Sequence, residues 1–293
     1  MLTDFVERCI KKGFLGGNVA KRAVLAGYRV TSLSRRGKPE PPKQRRRNRR
    51  NRGNNKNNNG ADNNNLSSYD SFEQSGVMNA IDYRCGDATD ISTIRDILNE
   101  GDEEYKAVVH CIGLLFDGDS GLAMWNRFVS QSGTLSDSSS SYDDITRTTA
   151  INAIEAVEEC ISSDPNNKIP FVFTSAAEAG WTDVSGGEFV EKRLTPRWLK
   201  RYLKAKRAVE ERLSQSTKLR PIIFRPSFIF SLDNRLSITL PPVTAFFVGN
   251  QVGLPFVDRP VSVQALSSAI IRSLSNESIS GVQRYKEINE LSR

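Results

Sequence analysis

Residues 12–37 read KGFLGGNVAKRAVLAGYRVTSLSRRG, a glycine-rich turn followed directly by a helical pattern and then by a strand pattern. Apolar residues recur at helical spacing from Val19 onward and stop at Gly27, which predicts an amphipathic helix that ends at this glycine. The β-branched and apolar residues of 28–33 then predict a strand. A glycine turn, a helix and a strand in this order indicate the start of an alternating α/β fold.

The rest of the chain repeats this alternation. Further strands are predicted at 78–85, 107–112, 169–174 and 221–225, and further helices at 91–98, 145–161, 198–213 and 263–273. The run AVVHCI at 107–112 is apolar throughout, as expected for a parallel strand that is buried on both faces. We therefore predict one α/β domain over residues 1–293, a doubly wound parallel sheet, with a small irregular substrate-side segment at 226–262.

One segment holds all of the chain's excess positive charge. Residues 35–60 contain eleven Lys or Arg and one acid, Glu40, so they contribute +10 to a formal net charge of +7 and leave −3 for the rest. Between Gly37 and Gly60 the segment has no apolar residue with which to offset the entropy cost of ordering. It predicts a disordered basic, Asn-rich insertion over 36–75. Such tracts also bind nucleic acid or anionic lipid, but like-charge runs are mostly solvated loops, so a nucleic-acid partner is not favoured.

The composition argues against a metal site and against a spanning helix. The four cysteines are far apart in the sequence, and His110 is the single histidine, which predicts reduced thiols in an intracellular compartment and no bound metal. No apolar run approaches the ~18 residues of a membrane span, and the longest candidate, 238–249, contains two prolines. The first residues include Asp4 and Glu7 and show no targeting segment.

The opening turn has part of the glycine spacing of a phosphate-binding loop. The predicted loop consists of Gly13, Phe14, Leu15 and Gly16. Its two glycines match the second and third positions of G-x-x-G-x-x-G, where backbone amides approach a pyrophosphate at a helix N-terminus. The first glycine position falls on Ile10, and 2–9 is a poor pattern for a central strand. Either nucleotide binding has been lost, or the true first strand and glycine lie upstream of a misassigned start; we favour the second explanation.

Other predicted ligand residues follow the later strands, because ligands of such sheets bind outside the carboxyl ends of the strands. Ser34 and Arg35 follow the second strand without an acidic residue, which favours NADP(H) and keeps NAD(H) as the alternative, unless Arg35 simply begins the insertion. Asp87 follows the third strand, where it would meet the adenine amino group or cap a helix. Cys111 and Gly113 follow the fourth strand at the same edge.

Tyr202 and Lys206 are the candidate catalytic pair. They are four residues apart, so they share one helical face, where a lysine ammonium lowers the pKa of a nearby tyrosine. Lys206 also falls on the inward apolar stripe of its helix, and a buried charge needs a partner, such as a bound ribose. Ser175 ends the preceding strand and would orient a substrate carbonyl, although a serine there is also a common cap.

Seven short motifs carry a resemblance to a known family. They are GFLG at 13–16, SLSR at 32–35, GD at 86–87, VVHCIG at 108–113, TSAAEAGW at 174–181, YLKAK at 202–206 and FRPSFIF at 224–230. On these motifs the chain resembles an atypical, extended short-chain dehydrogenase/reductase from Gly13 to about Ile288. The resemblance implies a Rossmann fold that binds a nicotinamide dinucleotide, with Tyr202 as acid/base, Lys206 on the nicotinamide ribose and Ser175 on the substrate oxygen.

Within that family, the stretches 175–181, 202–210 and 254–263 resemble most the mitochondrial ubiquinone-biosynthesis branch, and also the nucleotide-binding accessory subunit of respiratory complex I. This resemblance implies an NADP(H)-binding protein that supports ubiquinone biosynthesis on the matrix side of the mitochondrial inner membrane, with a plastid as the alternative compartment. It equally implies the alternative of a non-catalytic, nucleotide-stabilised subunit or assembly factor of an inner-membrane protein complex. Whether the chain is an oxidoreductase is left open at this point.

Overall fold

The computed structural model describes residues 5–8, 15–38, 76–100, 105–113, 141, 143–160, 168–231, 248–254 and 256–293. The predicted insertion at 36–75 lies outside this part of the chain, apart from residues 36–38.

A seven-stranded sheet forms the centre of the molecule, and all of its neighbouring strands are parallel. The strands in chain order are β1 (Phe5–Arg8), β2 (Val30–Ser34), β3 (Ile81–Cys85), β4 (Ala107–His110), β5 (Ile169–Thr174), β6 (Leu219–Phe224), the short pair β7 (Ile229–Phe230) and β8 (Val261–Ser262), and β9 (Gly281–Gln283). The sheet has the order β3-β2-β1-β4-β5-β6-β9, whereas β7 and β8 pair separately. The predicted doubly wound parallel sheet is confirmed, and its order reverses between β1 and β4, where such sheets form their ligand crevice.

The first strand corrects one prediction. Phe5 pairs with Val30 on one side and with Ala107 on the other, so β1 is the central strand. The expectation that the first strand lies upstream of Met1 is therefore wrong. Because β2 and β4 each present a row of backbone N–H and C=O groups to this position, hydrogen bonding favours an extended segment there even with a poor side-chain pattern.

Within the described ranges, six α-helices of eight or more residues connect and cover the strands. They are α1 (Gly16–Leu25), α2 (Ile91–Asn99), α3 (Thr149–Cys160), α4 (Arg197–Ser214), α5 (Val263–Ser275) and α6 (Tyr285–Ser292). A π-helical turn, Asp143–Thr148, leads into α3, and β5 is followed by a 3-10 helix, Ala177–Asp183. These bounds lie close to the predicted ones, although the strand predicted from residue 78 begins only at Ile81, because 76–79 are helical.

Helices pack on both faces of the sheet. Val109 of β4 lies in an apolar cluster with residues of α1 and α5, whereas its neighbour Val108 lies in another cluster with residues of α3 and α4. Successive strand residues point to opposite faces, and both of these are buried. The continuous apolar pattern of the predicted fourth strand thus corresponds to a strand covered on both sides.

Candidate functional site

Lys206 is a buried ammonium at the carboxyl edge of the sheet. Its side chain is only 3% exposed, and its Nζ donates a hydrogen bond to the carbonyl oxygen of Thr174, the last residue of β5, at 2.6 Å. Nζ also lies 4.8 Å from the ring centroid of Phe173. Burial lowers the pKa of Lys206 from 10.5 to about 8, although the charges of Glu210 and Cys111 act in the opposite direction. The pKa of this amine is therefore close to neutral pH, where the ammonium begins to lose its proton.

Tyr202 lies beside this ammonium, one turn earlier on α4. The distance from Lys206 Nζ to the Tyr202 ring centroid is 5.6 Å. Tyr202 is half-buried and packs with Trp181 and Phe256 in a small apolar cluster next to α4. The helical stripe that includes Val209 predicted an inward position for Lys206. The structure confirms this prediction, because both side chains are buried. The structure thus brings the two predicted catalytic side chains together.

Ser175 lies at the end of β5, directly after Thr174, whose carbonyl oxygen accepts the hydrogen bond from Lys206. Its backbone N–H donates to the carbonyl oxygen of Phe224 at 2.7 Å, which ties it to the end of β6. Its side chain is 4% exposed, and its Oγ has no hydrogen-bond partner among the described residues. A buried hydroxyl in this condition is costly, and a ligand oxygen would satisfy it. Ser227 Oγ, just after β6, is in the same condition.

The end of β4 completes this side of the site. A Cβ placed on Gly113 would lie 3.6 Å from Lys206 Nζ, so the backbone of Gly113 lies directly beside the ammonium. Cys111 is half-buried, and its Sγ accepts a long contact of 3.9 Å from Thr174 Oγ1. The predicted residues Cys111 and Gly113 therefore lie close to the Thr174 and Lys206 pair.

The other predicted cofactor residues lie at the ends of β2 and β3. Ser34 is buried, and its Oγ donates to the carbonyl oxygen of Gly37 at 3.2 Å across a tight turn, in which Gly37 has a φ of +61°. Arg35 is exposed, and its carbonyl oxygen accepts from the thiol of Cys85, the last residue of β3. The turn therefore presents the Arg35 side chain to solvent at this edge.

Asp87 is also exposed, but it does not cap α2. Its Oδ1 accepts from the backbone N–H of Thr89 at 2.9 Å, whereas the cap is Asp90, whose Oδ1 accepts from the N–H of Ser92 at 3.0 Å. The alternative that Asp87 is a helix cap is therefore wrong.

The helix that would face a phosphate group is α1. It begins at the buried Gly16, next to the buried Leu15, and follows β1 in the chain. No acidic residue lies in its first turn, so nothing there opposes the positive end of the helix dipole. The predicted loop residues Gly13 and Phe14 lie outside the described residues.

Two further charged groups lie at this edge, and neither was given a role from the sequence, although Arg225 follows a predicted strand. Glu178 is half-buried in the 3-10 helix after β5, where burial raises the pKa of its carboxyl from 4.5 to about 7 and the charge of Asp258 adds to this effect. Arg225 directly follows β6 and forms ion pairs with Glu210 and Asp183. Both follow a strand, and this position is also the signal that could have identified Glu178.

Two kinds of feature are absent from the described ranges. Within them, no group of three or more His, Cys, Asp or Glu side chains is arranged to hold a metal ion. No helix of the same ranges combines the length and the apolar character that crossing a bilayer requires.

The geometry defines a doubly wound α/β protein with a polar, partly unsatisfied site at the carboxyl edge of its sheet. No family model and no curated protein sequence matches the chain. Solved structures do match it. A short-chain type dehydrogenase/reductase from Mycobacterium ulcerans is 15% identical, with a TM-score of 0.58 over 98% of this chain and 90% of that chain.

Two further matches are structures with a bound cofactor. The UDP-glucose 4-epimerase of Thermus thermophilus, in complex with NAD, is 16% identical, with a TM-score of 0.54 over 98% of this chain and 81% of that chain. A 3-oxoacyl-[acyl-carrier protein] reductase from Brucella melitensis with bound NAD is 13% identical, with a TM-score of 0.54 over 96% of this chain and 89% of that chain. At these identities the similarity shows the fold, which is that of Rossmann-type short-chain dehydrogenases and epimerases.

Proposed function

We propose that this chain binds a nicotinamide dinucleotide at the carboxyl edge of its sheet and works as an oxidoreductase of the short-chain dehydrogenase type. The observation that carries the proposal is the environment of Lys206. A buried ammonium lies 5.6 Å from the Tyr202 ring and beside the backbone of Gly113. It is hydrogen-bonded to the residue that precedes the unsatisfied Ser175 hydroxyl.

The described residues fit such a ligand. The Lys206 ammonium has three N–H donors, of which the hydrogen bond to Thr174 uses one, so ribose hydroxyls would have donors to bind. Gly113 leaves room for a sugar next to this ammonium. The N-terminus of α1, beginning at Gly16, would face the pyrophosphate. Asp87, at the end of β3, would accept from the adenine amino group.

The chemistry would follow from three side chains. A bound nicotinamide supplies or accepts the hydride. The Tyr202 hydroxyl would donate a proton to the carbonyl oxygen of a substrate as it is reduced, and would remove that proton in the reverse direction. Lys206 would hold the ribose and favour the ionised form of the nearby phenol by its charge. The Ser175 hydroxyl would donate a hydrogen bond to the same substrate oxygen and so orient it.

The cofactor we propose is NADP(H) in preference to NAD(H). Arg35 and Arg36 follow β2, both are exposed, and neither they nor Ser34 are acidic. An arginine at this strand end accommodates a 2′-phosphate, whereas a carboxylate would bind the free ribose hydroxyls of NAD.

The biological role we propose is support of ubiquinone biosynthesis on the matrix side of the mitochondrial inner membrane. The support is the resemblance of 175–181, 202–210 and 254–263 to proteins of that branch. A partner complex in that membrane belongs to the same proposal.

A second candidate is a nucleotide-stabilised protein without turnover, such as a subunit or assembly factor. The observation in its favour is that Lys206 is already hydrogen-bonded inside the fold to Thr174, as a structural lysine would be. This candidate predicts that the nucleotide stabilises the chain while Tyr202 contributes nothing to its role.

Thermal melts with NADPH, with NADH and without nucleotide test the binding proposal. Ligand that binds only the folded state raises the melting temperature with concentration, and we expect the larger rise for NADPH. No rise with either nucleotide would exclude both candidates. Cellular quinone content, with the parent chain or the Tyr202→Phe variant as the only copy, then separates them: failure of the variant supports catalysis, and full function supports the non-catalytic candidate.

A further inference from the structure

Two large apolar side chains project into solvent from the segment that precedes α4. Phe189 is 63% exposed and Leu194 is 69% exposed. They lie in a short helical turn, Gly187–Phe189, and the π-helical turn that follows it, Val190–Leu194. Single exposed apolar residues are common on proteins, so their surroundings decide whether they have a role.

This segment is held firmly against the rest of the protein. Val190 packs inward on the cluster around Trp181 and Leu203. Glu191 forms a two-point ion pair with Arg207 of α4, with distances of 2.7 and 2.6 Å between their nitrogens and oxygens. These contacts fix the segment between Phe189 and Leu194. The fold therefore holds both side chains in an exposed position.

A second segment with exposed apolar residues lies next to the first. Val252 and Leu254 are exposed, and the chain then reaches Phe256, whose carbonyl oxygen accepts from the indole N–H of Trp181 at 2.8 Å. The Phe256 ring comes within 3.8 Å of where a Cβ on Gly186 would lie. Phe256, two residues after Leu254, therefore lies beside the chain that leads into the Phe189 turn.

The same region is basic. Residues 188–204 contain six Lys or Arg and two Glu, a net charge of +4, in a chain that carries −3 outside residues 35–60. Arg193, Arg197 and Lys204 are exposed, and none of them forms an ion pair with another described residue. Free cationic side chains therefore alternate with Phe189 and Leu194 along the sequence.

We propose that this basic apolar surface, formed by Phe189, Arg193, Leu194, Arg197 and Lys204, binds an anionic lipid bilayer. Apolar side chains enter the boundary between headgroups and acyl chains, while nearby Arg and Lys pair with lipid phosphates. A protein partner fits less well, because specific protein interfaces bury about 800 Å² per partner, far more than two separate side chains provide.

The surface lies outside the candidate site, so the proposal holds whether or not a nucleotide binds. It would nevertheless place the bilayer near that site, because α4 carries Arg197 and Lys204 as well as Tyr202 and Lys206. A site oriented in this way would meet membrane-dissolved substrates.

Co-sedimentation of the full chain with vesicles tests the proposal. Phosphatidylcholine vesicles with and without phosphatidylglycerol are compared for the parent, the double variant Phe189→Ser with Leu194→Ser, and Leu25→Ser. Leu25 is the matched control, because it is 73% exposed but ends α1, at the opposite edge of the sheet. We expect the double variant to bind anionic vesicles about ten-fold more weakly, since each lost insertion removes apolar burial. The Leu25→Ser variant is expected to bind as the parent does.

The basic insertion also attracts anionic vesicles, so a second measurement locates the contact. Because the chain has three tryptophans of its own, emission is compared with that of the parent. Phe189→Trp should add emission that shifts to the blue with anionic vesicles and is quenched by brominated acyl chains, whereas the emission added by Leu25→Trp should show neither effect. Equal responses of the two probes, or unchanged binding by the Phe189/Leu194 double variant, would overturn the proposal. A changed oligomeric state in sedimentation, with unchanged vesicle binding, would instead identify the surface as a contact between copies of this chain and would equally overturn it.

Discussion

Arg225, directly after β6, is joined to Glu210 of α4 by two hydrogen-bonded contacts, Nε to Oε1 at 3.0 Å and Nη2 to Oε2 at 2.6 Å. The two side chains are only 12% and 8% exposed. Glu210 lies one turn after Lys206, so this ion pair fixes α4 against the sheet at the level of the candidate site. The position of Tyr202 and Lys206 therefore depends on a buried pair one turn further along the same helix.

Breaking this pair should be costly. Glu210→Gln leaves the Arg225 guanidinium buried with only the exposed Asp183 as an ionic partner among the described residues, and we expect the free energy of unfolding to fall by about 3 kcal/mol. Urea denaturation measures the change. Arg95→Gln is the control, because its ion pair with Glu159 is exposed and should contribute little to stability. Equal losses in the two variants would show that the Arg225 pair is not a buried anchor.

Lys206 should give the protein a pH-dependent stability. Its pKa is about 8 in the folded chain and 10.5 ordinarily, so between these values the unfolded chain holds a proton that the folded chain has released. Stability therefore rises with pH across this window, by up to about 3 kcal/mol relative to Lys206→Met. Denaturation at several pH values checks this difference, and Lys204→Met, on the exposed side of α4, should leave the pH dependence of the parent unchanged. If the free energy of unfolding changed with pH in the same way in the parent and in Lys206→Met, the lowered pKa of Lys206 would be contradicted.

Glu178 should make the stability fall as the pH rises, in a lower pH range than that of Lys206. Burial raises the pKa of its carboxyl from 4.5 to about 7, so between these values the folded chain keeps a proton that the unfolded chain has lost, and stability falls as pH rises. We expect Glu178→Gln to stabilise the protein by about 3 kcal/mol above pH 7 and to have little effect below pH 4.5. The exposed Glu188→Gln serves as control, with a change within about 0.5 kcal/mol at both pH values. A gain for Glu178→Gln that is the same at both pH values would refute the proton-linked explanation.

Gly113 gives a test that separates binding from folding. A Cβ there makes only an ordinary contact of 3.6 Å with Lys206 Nζ, so Gly113→Ala should melt like the parent without nucleotide. The same methyl group would crowd a ribose bound to Lys206, and overpacking of this kind costs enough to weaken NADPH binding about ten-fold. Titration calorimetry measures the affinity. Parent-like affinity in Gly113→Ala would place the sugar elsewhere.

Local patterns predicted much of the framework because they report on one element at a time. The period of apolar residues in α4 placed Lys206 on the buried face with Val209, and both are buried. The continuous apolar run of β4 predicted a strand covered on both sides, as Val108 and Val109 confirm. Residues at strand ends were correctly placed at one edge, because parallel strands share their direction.

Long-range partners were not predictable in this way. The Glu178 carboxyl was overlooked, since its burial depends on how the 3-10 helix after β5 packs in the folded chain. The partner of Arg225 could not be named either, because residues 210 and 225 meet only when α4 packs beside β6.

The sequence by itself determined the alternation of strands and helices, the concentration of positive charge in residues 35–60, and the inward position of Lys206. Only the tertiary structure decided that Phe5–Arg8 is the central strand, and that Thr174 and Gly113 surround the Lys206 ammonium. The physical reason is one of range. Periodicity and composition act between neighbours in the chain, whereas backbone hydrogen bonding between strands and the burial of charge depend on which distant segments become neighbours in space.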